Sequence, residues 1–152
     1  MKKTAFAILV LSGIFASIYD KDKDPLHKRM FNITITEIKS GTPSNKSTTD
    51  ELEFKNNKLF SKFLNEKFNI NWISYTITKD TTYLDSVTEA DVRYFEVKGL
   101  YKDEDQQETH VLCKIENELI NGNIKIMKND KLKKEFEFSG QEKATKINDK
   151  KK

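Results

Sequence analysis

From Met30 to Gly140 the apolar residues return at every second position, and this period of two constrains the chain more than any other feature. In the first such stretch Phe31, Ile33 and Ile35 fall on one side, and Asn32, Thr34 and Thr36 on the other. Successive side chains of a strand point to opposite faces, so the pattern is that of a sheet with one buried and one wet side. After a polar loop, SGTPSNKSTTD, the same rhythm returns in ELEF and KLFSKFL around Asn56-Asn57. It continues through INWISYTIT, VRYFEVKGLY, THVLCKIE, LINGNIKIM and KKEFEFSG. The expected fold class is therefore all-β, an antiparallel up-and-down β-barrel of about eight strands joined by short polar turns. KDTTYLDSVTEAD is the one long irregular connection, with Ser86 and Glu89 placed to cap a single helical turn.

Register can be tested by parity. A two-residue turn at Asn117-Glu118 sets Ile115 against Ile120, Cys113 against Gly122 and Val111 against Ile124, so that one apolar face emerges. The same turn at Asn129-Asp130 would set Ile126 against Lys133. An odd loop or a bulge there restores Ile124 to Phe136 and Gly122 to Phe138, and is what the sequence predicts. Gly122 would then lie between Cys113 and Phe138 as an architectural glycine, with the ring over its missing side chain. Gly99 and Gly140 also fall inside strand patterns.

At 152 residues the chain provides one domain with tails. Residues 1–19 have two lysines, an apolar run from Ala5 to Tyr19 and then alternating charges, the layout of a signal peptide. The run is shorter than the ~20 residues that cross a bilayer, so no membrane span is expected after cleavage. Leu11-Ser12-Gly13-Ile14 is similar to a lipoprotein box, but Ile14 stands where the lipid-bearing cysteine belongs. The chain is thus expected to be exported, periplasmic or secreted, and not lipid-anchored. Residues 20–29 read as a charged linker, 30–141 as the folded domain and 142–152 as a basic tail expected to be disordered.

Although the net charge is +3, residues 30 to 140 hold 16 bases and 19 acids. A slightly acidic domain excludes nucleic acid as a partner, since phosphate neutralisation needs a basic face. Cys113 is the only cysteine, so no intramolecular disulfide can form and stability must come from packing.

The turn and strand order ENELINGNIKIMKNDKLKKEFEFSGQEK, together with the opening FNITITEIKSG and DELEFKNNKLFSKF, resembles small exported calycin-like (lipocalin-like) proteins of the Bacteroidetes type. The resemblance covers roughly residues 30 to 143 and implies an up-and-down barrel of about eight strands. Many members of that family have no assigned function. The first strand, MFNITITEI, lacks the Gly-x-Trp of true lipocalins.

Catalytic groupings are scarce. His27 lies in the linker and His110 opens a strand, neither with Cys or carboxylate neighbours at metal spacing. Cys113, flanked on its face by Val111 and Ile115, reads as a small core residue. Asp103 and Asp105 fall in a turn open to solvent. No phosphate loop or nucleophile elbow is present, so neither enzyme activity nor a cofactor or metal is expected. Phe31, Phe54, Phe63, Phe95, Tyr101, Phe136 and Phe138 can share one interior. The first expected role is a non-enzymatic barrel that holds a small hydrophobic molecule, walled by Phe31, Ile33, Ile35, Phe54, Phe95, Val97, Tyr101 and Val111. The second is a binding or inhibitor module with a solid core that meets another protein through its surface. There Trp72, on the same side as Ser74 and Thr76 and opposite Ile73, Tyr75 and Ile77, is the partner-binding residue.

Overall fold

The structure is a computed structural model that describes residues 23–144. The expected signal peptide, the first residues of the expected linker and most of the expected basic tail lie outside the described residues. Eight antiparallel strands follow one another: β1 Met30–Lys39, β2 Thr42–Lys55, β3 Lys58–Ser61, β4 Ile73–Leu84, β5 Asp91–Lys102, β6 Gln107–Glu116, β7 Leu119–Lys128 and β8 Lys131–Glu142. Each pairs with the next, and β8 pairs back onto β1 from Phe31↔Glu142 to Ile38↔Glu135, so the sheet closes in a ring. Hairpin turns at Ser40-Gly41, Asn56-Asn57 and Asn129-Asp130 have positive φ at both residues, as tight turns between twisted strands require.

The parity argument holds residue by residue. Glu116 faces Leu119, Ile115 faces Ile120, Cys113 faces Gly122 and Val111 faces Ile124. The next turn keeps two residues, and a register shift between Ile126 and Met127 then brings Ile124 opposite Phe136 and Gly122 opposite Phe138. A Cβ on Gly122 would overlap the Leu112 carbonyl oxygen and stand 2.7 Å from both Cys113 Cβ and Phe138 Cζ. The glycine is there for close packing of two strands and a ring.

Three local expectations are corrected. SGTPSNKSTTD is not a loop: β2 begins at Thr42, because Ile35↔Thr48 and Thr36↔Ser47 pairing satisfies its backbone whatever its side chains prefer. KLFSKFL is a strand only as far as Ser61, whose Oγ accepts the Leu64 N–H at 3.1 Å and caps a helix, α1 Lys62–Phe68. KDTTYLDSVTEAD is mostly strand, since β4 and β5 pair down to Leu84↔Asp91. The remaining turn is capped by Asp85, not Ser86. Its carboxylate accepts the Val87 and Thr88 amides at 2.8 and 3.4 Å, and these bonds hold its pKa below the usual carboxylate range.

Up-and-down connectivity puts the β2–β3, β4–β5 and β6–β7 turns at one end of the ring, with the start of β1 and the close of β8. Residues 23–29, read from sequence as linker, pack against that end. Leu26 is fully buried, and Lys28 N–H and Arg29 carbonyl bond across to Phe54. Asp24 holds the segment down by accepting from Leu26 N–H, Asn57 N–H and Tyr75 OH at 3.0, 3.0 and 2.7 Å. Arg29 lies 5.0 Å from the centre of the Phe31 ring and pairs with Glu142, which therefore belongs to the fold and not to the tail. At the other end Leu64 and Ile70 are buried, and Phe63 and Phe68 meet Phe136 edge to face at 5.3 and 5.9 Å.

Candidate binding surface

The expected wall residues are all brought together inside the ring. Phe31, Ile33, Ile35, Phe54, Phe95, Val97 and Val111 are buried, and Tyr101 is half-buried against them. They fill the space they enclose. Phe54 meets Phe31 and Tyr75 edge to face at 5.8 and 5.3 Å, joining β1, β2 and β4 across the interior. Beside Tyr75, the absence of a side chain at Gly99 lets Ile73 and Leu59 come within 3.2 and 3.3 Å of where its Cβ would stand. An eight-stranded ring is just wide enough for its own side chains to fill, and this one does so with rings set against glycines.

The chemistry-bearing groups are occupied structurally. Burial pushes the Cys113 thiol up to about 12, so its nucleophilic form is suppressed. His27 Nδ1 accepts the Asn56 N–H at 3.2 Å, tying the linker segment to the β2–β3 turn. His110 Nε2 lies 3.1 Å from Glu108, whose carboxyl is held low first by Lys102 and then by this histidine. Asp103 accepts the Asp105 and Gln107 amides at 3.0 and 2.9 Å and so shapes the β5–β6 turn. Among the described residues no group of three or more His, Cys, Asp or Glu could hold a metal ion, and no helix is long and apolar enough to cross a membrane.

The outside of the ring is more informative. Trp72 sits just ahead of β4, half-buried, with its ring tilted at 42° to Phe60 and 5.3 Å from it. Phe60 was not singled out in the sequence; the signal for it is its alternation with the buried Leu59 and Ser61, which turns it outward beside Trp72. On the register Met30, Glu53 and Phe60 form one row across β1, β2 and β3. This row lines a groove of about 850 Å³ that Lys62 and Glu66 of α1 close from above. A second concavity, about 890 Å³, crosses the outer faces of β1, β8, β7, β6 and β5 over Gly122. Asn123, which helps line it, has a buried Oδ1 without a hydrogen-bond partner among the described residues.

The β4–β5 hairpin is the remaining feature. β6 ends at Glu116 opposite Tyr94, and the Arg93 backbone still bonds to Asn117, so the rows Tyr83↔Val92 and Leu84↔Asp91 extend past their neighbours. Leu84 is 64% and Val87 88% exposed at the tip. Trp72 and this hairpin therefore lie at opposite ends of β4.

Compared with family models, with curated proteins and with solved structures, the chain matches none. Function has to be argued from the surface itself.

Proposed function

We propose that this chain is an exported calycin-like barrel without catalytic activity, a binding module that meets another protein through the surface around Trp72 and Phe60. The observation that carries the reading is where the aromatics are used. The interior is occupied by the chain's own side chains, while the only tryptophan is kept on the outside, propped against Phe60 and not submerged. Interface anchors are typically large aromatics already fixed in one orientation, because binding then costs little side-chain entropy. The groove beside Phe60 gives a partner side chain somewhere to go. Export rests on the layout of residues 1–19.

The test is capture from the periplasm of the source cells with wild-type protein and with Trp72→Ala. The variant is expected to melt within a few degrees of wild type and to lose the captured protein. Retention of that protein by Trp72→Ala would remove the reading. The same preparation in native mass spectrometry is expected at the mass of the bare chain; a co-purifying apolar molecule would move function back to the interior.

A further inference from the structure

The hydrogen bonding of the ring lapses in two places, both because β3 is only four residues long. It faces β2 only from Leu52 to Lys55, and β4 only at Ile73 and Ser74. Tyr75 N–H still reaches the Asn57 carbonyl at 3.0 Å. Beyond it, from Ile77 to Leu84, β4 has no backbone partner among the described residues except β5 on its other side. From Thr42 to Glu51, β2 likewise pairs only with β1.

An open strand edge accepts another extended chain, and proteins usually blunt such edges. The β2 edge is blunted. Pro43 has no N–H to offer, and Ser44 Oγ takes up the Lys46 N–H at 3.2 Å and donates to the Lys46 carbonyl at 2.9 Å. The β4 edge carries no such device beyond the bulge at Thr78 and one charge of each sign. Its sequence, ITKDTTYL, is rich in strand-forming residues, and Thr78 Oγ1 turns to the Glu96 carbonyl of β5, away from the edge.

We infer that this edge pairs with the same edge of a second copy of the chain, antiparallel about a two-fold axis at Thr81. A two-fold axis normal to the sheet leaves each side chain on its own face, so opposed residues must have the same parity. Centring the pair on Lys79 or on Asp80 sets a charge against its own copy, which is destabilising. Centring it on Thr82 sets Asp80 against Leu84. With the axis at Thr81 no row between Thr78 and Leu84 opposes like charges or sets a charge against Leu84: Thr81 faces Thr81, Lys79 faces Tyr83 of the second copy, Asp80 faces Thr82, and Thr78 faces Leu84. Lys79 Nζ already lies 5.2 Å from the centre of the Tyr94 ring, on the face that Tyr83 shares. The second copy's Tyr83 brings another ring to that cation. The contact is separate from the Phe60 and Trp72 surface, which lies at the other end of β4.

Sedimentation equilibrium of the full chain across the micromolar range is expected to show a monomer–dimer equilibrium. Thr81→Cys supplies the position-specific readout, because Cys113 is buried and leaves no competing thiol. Directly opposed residues of an antiparallel pair have Cα atoms about 4.5–5.5 Å apart, within disulfide reach. Under mild oxidation Thr81→Cys should link on the order of a hundredfold faster than Val87→Cys at the tip, since thiols paired in a dimer meet at millimolar effective concentration. A monomer at every concentration overturns the inference. So does a dimer in which Thr81→Cys links no faster than Val87→Cys. A monomer whose Lys79–Tyr83 amides exchange slowly also overturns it, by giving the edge to the chain's own residues before Lys23.

Discussion

Gly122→Ala puts the packing of the ring to the test with a single methyl group. The new Cβ would overlap the Leu112 carbonyl oxygen and stand 2.7 Å from Cys113 Cβ and from Phe138 Cζ. Phe138 could swing aside, but the carbonyl and the Cβ belong to β6, which is hydrogen-bonded to β7 over ten rows from Gln107↔Lys128 to Glu116↔Leu119. Relief therefore requires part of that ladder to separate. Overpacking of a tight core costs about 1–3 kcal/mol and more where backbone is displaced. The loss of unfolded-chain freedom on replacing glycine returns about 0.4–1 kcal/mol. With the cost at the upper end of that range, a net loss of about 2 kcal/mol follows, seen as a fall in Tm of roughly 8 °C in calorimetry. Gly99→Ala is the control. There the nearest atoms are Ile73 Cγ2, Leu59 Cδ2 and Val111 Cβ at 3.2, 3.3 and 3.4 Å, side-chain atoms that can give, so its stability should stay within about 1 kcal/mol of wild type. A Gly122→Ala protein as stable as Gly99→Ala would refute the packing account and would return the glycine to a role in ligand approach through the concavity outside it.

Leu26→Ala should lower stability by about 3 kcal/mol in urea titration, the usual scale for a fully buried leucine, and an unchanged midpoint would mean that residues 23–29 do not close the ring. Thiol reagents at pH 8 should label Cys113 only as fast as the protein opens, because burial suppresses its thiolate; rapid stoichiometric labelling of native protein would contradict this. Burial, and then the hydrogen bond to Asp24, raise the Tyr75 phenol, so the folded chain holds that proton more tightly than the unfolded one. Its contribution is therefore complete below about pH 10 and declines above it by up to ~1.4 kcal/mol per pH unit, and Tyr75→Phe should flatten the fall in denaturant midpoint above that pH.

The strand order, the closing register of β6, β7 and β8 and the interior set were legible in the sequence because alternation and turn length leave no freedom once one face is buried. Parity alone demanded an odd loop or a bulge before Phe136, and the structure has the bulge. What could not be read was governed by partners distant in sequence. Thr42 to Asp50 has a loop composition but is a strand because β1 lies beside it. Lys62–Phe68 continues the alternation of β3, yet becomes helix because Ser61 and Asp50 cap it, Asp50 accepting from Ser61 Oγ and from the Phe63 N–H at 2.5 and 3.2 Å. Leu26 is one apolar residue among charges, and its burial follows from the bonds that dock residues 24–29 on Phe54, Asn57 and Tyr75. The surface was the least legible: Trp72 was identified as outward-facing, but its support by Phe60 depends on where β3 stops.

The arrangement of large and absent side chains sets what it would cost the ring to admit a guest. Phe138 lies over Gly122, Leu59 and Ile73 against Gly99, and Ile33 against Gly140, where a Cβ would stand 2.7 Å from Ile33 Cα. Each glycine admits a particular neighbour from a strand beside it, so enlarging the interior for a guest would mean moving side chains whose space is already defined within the wall. The ends are fixed as well. Opening the lower one breaks three hydrogen bonds at Asp24 and exposes Leu26, and opening the upper one separates Phe63 and Phe68 from Phe136. Burial of one leucine alone is worth about 1.5–3 kcal/mol. A small apolar guest has to repay both the displaced core and the opened end from its own transfer energy, whereas a partner at Phe60 and Trp72 or at the β4 edge has neither cost to meet. Of the two buried side-chain atoms that the described residues leave without a hydrogen-bond partner, Thr109 Oγ1 is a single hydroxyl on the apolar inner face and Asn123 Oδ1 lines the outer concavity, so the inner wall offers a guest one polar group at most.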